Sequence, residues 1–228
     1  MTNNKKAIVV LSGGLDSTIL LYHVVKNLNR EVTALCFNYG QRHHRELEFA
    51  NKHCDLLNAS YKLMYIDLPT SSKCSLLNKD INVPHIREVL GDPQPSTYVP
   101  NRNMMFLSIA ASVAEIEEAD EVYYGAAEID THSGNWDCSL DFLQQMNQIL
   151  SLNRRKAVSI IAPFITLSKV DIIKLGKELE VPFEYTHTCY KGENIACGKC
   201  SSCSSRIKGF IDAKIVDPIK YDIKINWL

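Results

Sequence analysis

Short apolar runs rich in β-branched residues alternate along this chain with segments whose apolar positions recur at helical spacing. Ala7-Ile8-Val9-Val10-Leu11 predicts a first buried strand, and Leu21, Val24, Val25 and Leu28 follow the pattern of a packed helix. Val32 to Phe37 predicts a second strand; Leu47, Ala50, Cys54 and Leu57 form the next helical stripe, and Tyr61 to Ile66 a third strand. A helix from about Arg102 to Ala119 precedes a fourth strand, Glu121 to Tyr124, and Val158 to Ile161 fits a fifth. Ser168-Lys169-Val170-Asp171 is a capping box that opens a helix with Ile172, Leu175 and Leu179 on one face. Strands alternating with helices predict an α/β fold with a doubly wound, mostly parallel sheet, whose ligands sit beyond the strand C-termini. Residues from about 69 to 100, with prolines at 84, 93, 95 and 100, break the rhythm and predict a functional loop or lid.

Composition narrows the classes. A chain of 228 residues holds one well-buried core with a small appendage, here divided as a main domain over 1–182 and a C-terminal segment over 183–228. The net charge of -1 offers no global field for nucleic acid, so no stable nucleic-acid partner is expected. No apolar run approaches a membrane span, and the first residues lack the apolar stretch of a signal peptide; the expectation is a cytoplasmic protein. In that compartment the 8 cysteines argue against a disulfide framework.

The chemistry concentrates after the first strand. Leu11-Ser12-Gly13-Gly14-Leu15-Asp16-Ser17-Thr18 joins a strand end to a helix start through a glycine pair. Such a corner gathers backbone N–H groups at the positive end of a helix dipole and suits a phosphate group. The Ser12, Ser17 and Thr18 hydroxyls add donors, while Asp16 either caps the helix or holds a magnesium ion. This is not a Walker loop, because no G-x-x-x-x-G-K-[ST] occurs. Asn38-Tyr39-Gly40-Gln41-Arg42-His43 follows the second strand, and Gly125 to Asp130, running on to Asp137 and Cys138, follows the fourth. The switch-point rule brings these loops to one crevice.

Cys189, Cys197, Cys200 and Cys203 form C-x7-C-x2-C-x2-C. Four thiolates can close a tetrahedral site around a structural zinc, and an iron–sulfur cluster is the main rival. His187, two residues before Cys189, competes as a ligand.

On these residues the chain resembles the N-type ATP pyrophosphatase, or PP-loop, superfamily of Rossmann-like folds, and within it the 7-cyano-7-deazaguanine synthase family of queuosine biosynthesis. The resemblance rests on Ser12 to Ser17, Tyr39-Gly-Gln-Arg-His43 with Glu46, Val99-Pro-Asn-Arg-Asn103, Ser133-Gly134 with Asp137-Cys138, Thr188-Cys-Tyr190, and the cysteine run to Cys203. It implies an ATP-dependent ligase acting on 7-carboxy-7-deazaguanine and ammonia, with the carboxylate activated, converted to an amide, and the amide dehydrated to a nitrile. ATP and Mg²⁺ would serve the reaction and Zn²⁺ the fold. Arg102 and Lys169 would be the cations at the reacting phosphorus and His43 a general base. Tyr39, Gln41, Arg42, Glu128, Asp130, Trp136 and Asp137 would hold the deazaguanine. A homodimer is compatible with this reading. The chain departs from the family pattern at Asn101, where glycine is usual, and at Asn135, Trp136 and Ser139, where the usual run is Tyr-Pro-Asp-Cys-Arg.

Bland alternatives stand beside these roles. Arg42 and His43 can be an ordinary solvated loop, Trp136 a loop anchor, and Cys138 either a packed thiol or a nucleophile. Cys36, Cys54 and Cys74 read as small apolar groups. The competing functions are a PP-loop enzyme joining the same carboxylate to a different amine, a tRNA-modifying PP-loop enzyme, and a nucleotide- or zinc-binding module without catalysis.

Overall fold

The central strand β1 (Lys6–Val10) sends Ala7 and Val9 into one apolar core and Ile8 into another, so the sheet is covered on both faces. In the computed structural model, which describes residues 5–68, 73–92, 94–127 and 136–227, β1 lies in the middle of a five-stranded parallel sheet. Its neighbours are β2 (Glu31–Asn38), β3 (Ser60–Tyr65), β4 (Glu121–Tyr123) and β5 (Ser159–Ile161), in the order β3-β2-β1-β4-β5. All the pairings are parallel. This is the doubly wound arrangement that the alternation of apolar runs predicts, and it puts the topological switch point between β1 and β4.

Helices α1 (Leu15–Tyr22) and α2 (Glu46–Leu57) pack on the face that receives Val9, Ala34 and Cys36. The other face, with Ile8, Leu35 and Phe37, is covered by α3 (Arg102–Glu117) and α4 (Leu140–Leu150). A π-helical turn, His23–Asn27, continues α1 to the length that its apolar stripe predicts. Asn101 precedes α3 with φ 55, a left-handed conformation that glycine adopts without cost and asparagine tolerates best among the other residues. The departure from glycine there leaves the backbone path intact.

Helix α4 was not anticipated from the pattern, although its start is chemically marked. Ser139 Oγ accepts from Phe142 N at 3.1 Å, an N-cap, and Phe142 and Met146 are buried. Asn147 then bonds the edge strand β5 through Ile160 N at 2.8 Å and Ile160 O at 2.9 Å, which occupies backbone groups that an open edge would expose. Ser139 is therefore a helix cap.

The remaining helices are α5 (Lys169–Glu178) and α6 (Ser201–Asp212), which join the first core through Ile172, Ile173 and Phe210. The Ser168 cap is present as predicted: its Oγ accepts from Asp171 N, and Asp171 Oδ2 accepts from Ser168 N, both at 3.2 Å. Arg206 of α6 is 1% exposed and bonds Asp217 through Nε at 2.6 Å and Nη2 at 2.9 Å, which ties the C-terminal tail to the body.

Candidate active site and metal centre

The glycine corner after β1 is built by close approach of backbone. Gly13 has φ 87, and a Cβ there would meet Glu46 O at 1.9 Å, so no other residue fits. Gly13 O accepts from His187 N at 3.1 Å, which brings the segment leading to the cysteines onto the loop. Gly14 N donates to Ser12 Oγ at 3.1 Å, Ser12 N donates to Ser17 Oγ at 3.2 Å, and the two hydroxyls lie 2.9 Å apart. The loop is thus preformed by its own serines. Gly14 is the N-cap of α1 with no side-chain cap bond, so the amides of the first turn remain for an anion.

Asp16 is not a cap. Its Oδ2 accepts from Lys169 Nζ at the start of α5, and its Oδ1 is buried with no partner among the described residues. Thr18 departs from expectation as well. It is fully buried, its Oγ1 has no partner among the described residues, and it does not line the cavity described next.

A cavity of about 750 Å³ opens at the C-terminal edge of the sheet, over the β1–β4 switch point. Leu11, Ser12, Gly14, Leu15, Asp16, Ser17 and Lys169 line the side of it at the glycine corner. Gly125 closes that side, since a Cβ there would sit 3.4 Å from Ser17 N and Cα. Phe37, Tyr39, Phe106, Tyr124 and Tyr190 give an aromatic wall; the Phe37 and Phe106 rings are stacked at 4.2 Å, and Tyr39 lies 5.3 Å from Phe106. Arg102 reaches the same space, its Nη1 3.4 Å from Tyr39 Oη. Ile86, Leu90, Pro95 and Thr97 show that the proline-broken segment forms part of the wall.

Asp137 is 5% exposed, lines the cavity, and accepts from Asn103 N at 3.3 Å, so it also fixes the first turn of α3. Cys138 lies beside it, with Asn103 Nδ2 donating to Sγ at 3.2 Å.

Three expected substrate residues are placed elsewhere. Gln41 is buried and shapes its own loop, accepting from Tyr39 N at 2.8 Å and donating to Phe37 O at 3.0 Å. Arg42 donates to the carbonyls of Asn78 and Ile81 at 3.1 and 3.0 Å and lies outside the cavity wall. Trp136 is 42% exposed, donates to Tyr98 Oη at 3.2 Å and packs its edge on Phe142, the anchoring alternative. Glu128 and Asp130 lie outside the described residues.

His43 does line the cavity, with Nε2 3.4 Å from Glu46 Oε1. Burial, followed by the positive charges of Arg102 and its neighbours, pushes the imidazole down to about 3, so it is neutral. Burial pushes Glu46 up to about 8, against the opposing pull of Arg102 and a Gln41 hydrogen bond. For Glu46 the sequence carries one signal of a site role, its spacing three residues after His43. Ser201, Ser202, Ser205 and Lys208 of α6 complete the wall without any such signal. Nothing local marks those residues, which reach the cavity only because the cysteine segment folds back over α5.

The four C-terminal cysteines are all buried, and their Sγ atoms lie within 4.8 Å of one another. Cys197 Sγ accepts from Lys199 N and Cys200 N at 3.4 Å, and Cys200 Sγ caps α6 by accepting from Cys203 N at 3.5 Å. Amides aimed at sulfur stabilise thiolates, and four thiols this close fit one thiophilic metal ion. His187 does not compete, because its Nε2 lies 3.1 Å from Cys189 O. The tail covers the knuckle: Ala196 N donates to Lys220 O at 3.0 Å and Asp222 N to Ala196 O at 2.8 Å.

Comparison with known proteins identifies the family and the fold. The family described as Queuosine biosynthesis protein QueC matches residues 6–214. Curated 7-cyano-7-deazaguanine synthases are similar over most of their length: that of Thermoplasma volcanium is 44% identical over 95% of this chain and 91% of its own. The enzyme of Caldicellulosiruptor saccharolyticus is 42% identical over 97% and 98%. Among solved structures, the U34-tRNA thiolase NcsA from Methanococcus maripaludis superposes with TM-score 0.53 at 20% identity, covering 92% of this chain and 66% of that one. NMN synthetase from Francisella tularensis gives 0.50 at 15% identity, over 94% and 79%; at these identities the likeness is one of fold. With the family matching residues 6–214 and curated relatives 42–44% identical over nearly the whole chain, the chain belongs to the QueC family of queuosine biosynthesis.

Proposed function

We propose that this protein is an ATP-dependent ligase that converts 7-carboxy-7-deazaguanine and ammonia to 7-cyano-7-deazaguanine. The observation that carries the reading is the union in one cavity of the Ser12–Ser17 phosphate corner, Lys169, Arg102 and an aromatic wall. Two anions, a carboxylate and a triphosphate, have to meet in line, and the site supplies fixed donors and cations on the sides where they would meet.

The first-turn amides of α1 and Lys169 would hold the phosphates, and Arg102 would offset the charge that develops as the carboxylate attacks the α-phosphorus. Asp16, with one oxygen on Lys169 and the other buried without a partner among the described residues, suits a Mg²⁺ ion. Such an ion supplies charge neutralisation on the phosphates. The flat heterocycle would lie against Tyr39, Phe106 and Tyr190, with Asp137 accepting from its amino or ring N–H groups. The thiol knuckle would hold a structural Zn²⁺, which leaves no open coordination position for chemistry.

The test is mass spectrometry of products formed by purified protein from 7-carboxy-7-deazaguanine, ammonia and ATP. Nitrile with AMP is the expected outcome; ADP would change the activation chemistry, and the absence of both amide and nitrile would refute the reading.

A further inference from the structure

Gly209 stands inside α6, where glycine is the weakest helix former apart from proline. It is buried, and its φ is not positive, so no left-handed turn calls for it. Packing does. A Cβ at 209 would come nearer to Lys169 Cγ than real Cβ atoms come to any neighbour. It would also lie 2.8 Å from Ile173 Cδ1 and 3.3 Å from Lys169 Cβ. The missing side chain is therefore a notch in α6, and the stem of Lys169 lies in it.

The two helices are held so that neither steps back easily. The Ser168 cap fixes the first turn of α5, with Ser168 Oγ accepting from Asp171 N at 3.2 Å. Further along α5, Gly176 lies tight against α1: a Cβ there would meet Ile19 Cγ1 and Phe183 Cε1 at 2.8 Å. On the other side, α6 is anchored by the fully buried Phe210 and by the Arg206–Asp217 pair. A side chain at 209 is then accommodated by the side chains it meets. Ile173 Cδ1 is a free end and can swing aside. Lys169 Cγ sits near the root of its side chain, so turning it about the first torsion carries the ammonium away from Asp16 Oδ2.

We infer that Gly209 is a positioning residue for Lys169: its notch admits the lysine stem and so sets the ammonium beside Asp16 at the glycine corner. Gly209 does not itself line the cavity and acts only through the lysine. The inference deepens the functional reading given above and rests on it. In that reading the Lys169 charge meets the phosphates of ATP, and a cation displaced by about 1 Å loses much of its effect on the reacting groups. Cys200 caps the same helix, its Sγ accepting from Cys203 N at 3.5 Å. The cysteine segment therefore helps to place a charge at the corner that follows β1.

The test is a double-mutant cycle of wild type, Gly209→Ala, Lys169→Ala and the two together. Each is read by thermal melting and by ATP–pyrophosphate exchange dependent on 7-carboxy-7-deazaguanine. Gly209→Ala in the wild-type background is expected to lower exchange on the order of 10²-fold and to lower the melting temperature. Lys169→Ala leaves no Cγ in the notch. On that background the same substitution should change exchange by less than about twofold and should no longer lower the melting temperature, since alanine is the better helix former. Equal losses on both backgrounds would overturn the proposal, as would full exchange by Gly209→Ala. If Gly209→Ala alone does not fold, the double variant decides: a folded protein supports the notch, and an unfolded one refutes it. Wild-type protein without exchange would overturn the functional reading and the role in turnover, while the melting cycle still decides whether Lys169 occupies the notch.

Discussion

Lys169 Nζ donates to Asp16 Oδ2 across 153 positions of chain, joining the first turn of α5 to the first turn of α1. The side chains are 11% and 21% exposed, and both line the cavity at the glycine corner. Charges held this way are preorganised, so their loss should appear in turnover more than in folding. Asp16→Asn and Lys169→Met are each expected to lower product formation by at least about 10²-fold while melting cooperatively. Steady-state kinetics beside a thermal melt checks this, and wild-type turnover in either variant would move the nucleotide away from the corner.

Gly13→Ala should be a folding defect. The new Cβ would press on Glu46 O at 1.9 Å, and the residue's φ of 87 is hostile to any L side chain. The expected cost is roughly 3 kcal/mol or more, read as a lowered denaturation midpoint with loss of activity.

A metal ion held by the four cysteines would make stability depend on it. The knuckle's bonds to Lys220 and Asp222, and the Ile86 N to Lys199 O bond at 3.0 Å, link it to the tail and to the cavity wall. Cys200→Ser, or a strong chelator, should remove one metal ion per chain and lower the melting temperature by on the order of 10 °C. Elemental analysis and calorimetry measure both; a metal-free protein with unchanged melting would exclude a structural ion.

Glu46 gives a signed pH effect on stability. Its folded value of about 8 lies above the ordinary 4.5, so its contribution is complete below that value and is lost as pH rises to about 8. His43 is displaced the other way, to about 3, and its contribution, present above 6.5, is lost as pH falls toward 3. Glu46→Gln should remove the decline on the alkaline side, on the order of 2 kcal/mol between mildly acidic and mildly alkaline pH, and leave the acid limb. Denaturant unfolding of both proteins across that range is the measurement; parallel curves would show that the carboxyl is ionised throughout.

Arg206 is buried against Asp217 and donates as well to Thr186 Oγ1 at 2.7 Å and Thr188 Oγ1 at 2.9 Å. Arg206→Met strands the Asp217 carboxylate and is expected to cost about 3–5 kcal/mol. Asp217→Asn combined with Arg206→Met should recover part of that in a double-mutant cycle, and strict additivity would refute the coupling.

Much of the site was legible because its chemistry is local. The glycine pair between a β-branched run and a helix, and the cysteine spacing, each carry their meaning within a few contiguous residues. The loops after the predicted strands were read as a group, which overreached: Gln41, Arg42 and Trp136 sit in the right loops but spend their polar groups on backbone or on Tyr98. A side chain's direction depends on the turn beneath it, and no periodicity reports that. Helix α4 was legible too, since Phe142, Leu143, Met146 and Leu150 recur at helical spacing on the core face behind the Ser139 cap.

The amino-acid pattern alone determined the parallel α/β class, the glycine corner and the thiol cluster, since strand alternation, glycine freedom and cysteine spacing act over short stretches of chain. Tertiary structure decided which distant groups meet: Lys169 with Asp16, His43 and Glu46 with one cavity, and α6 with its far wall. Those meetings follow from the strand order and from the fold-back of the C-terminal segment. They are long-range choices, made by burying two faces of one sheet at once, and they leave no mark in the residues nearby.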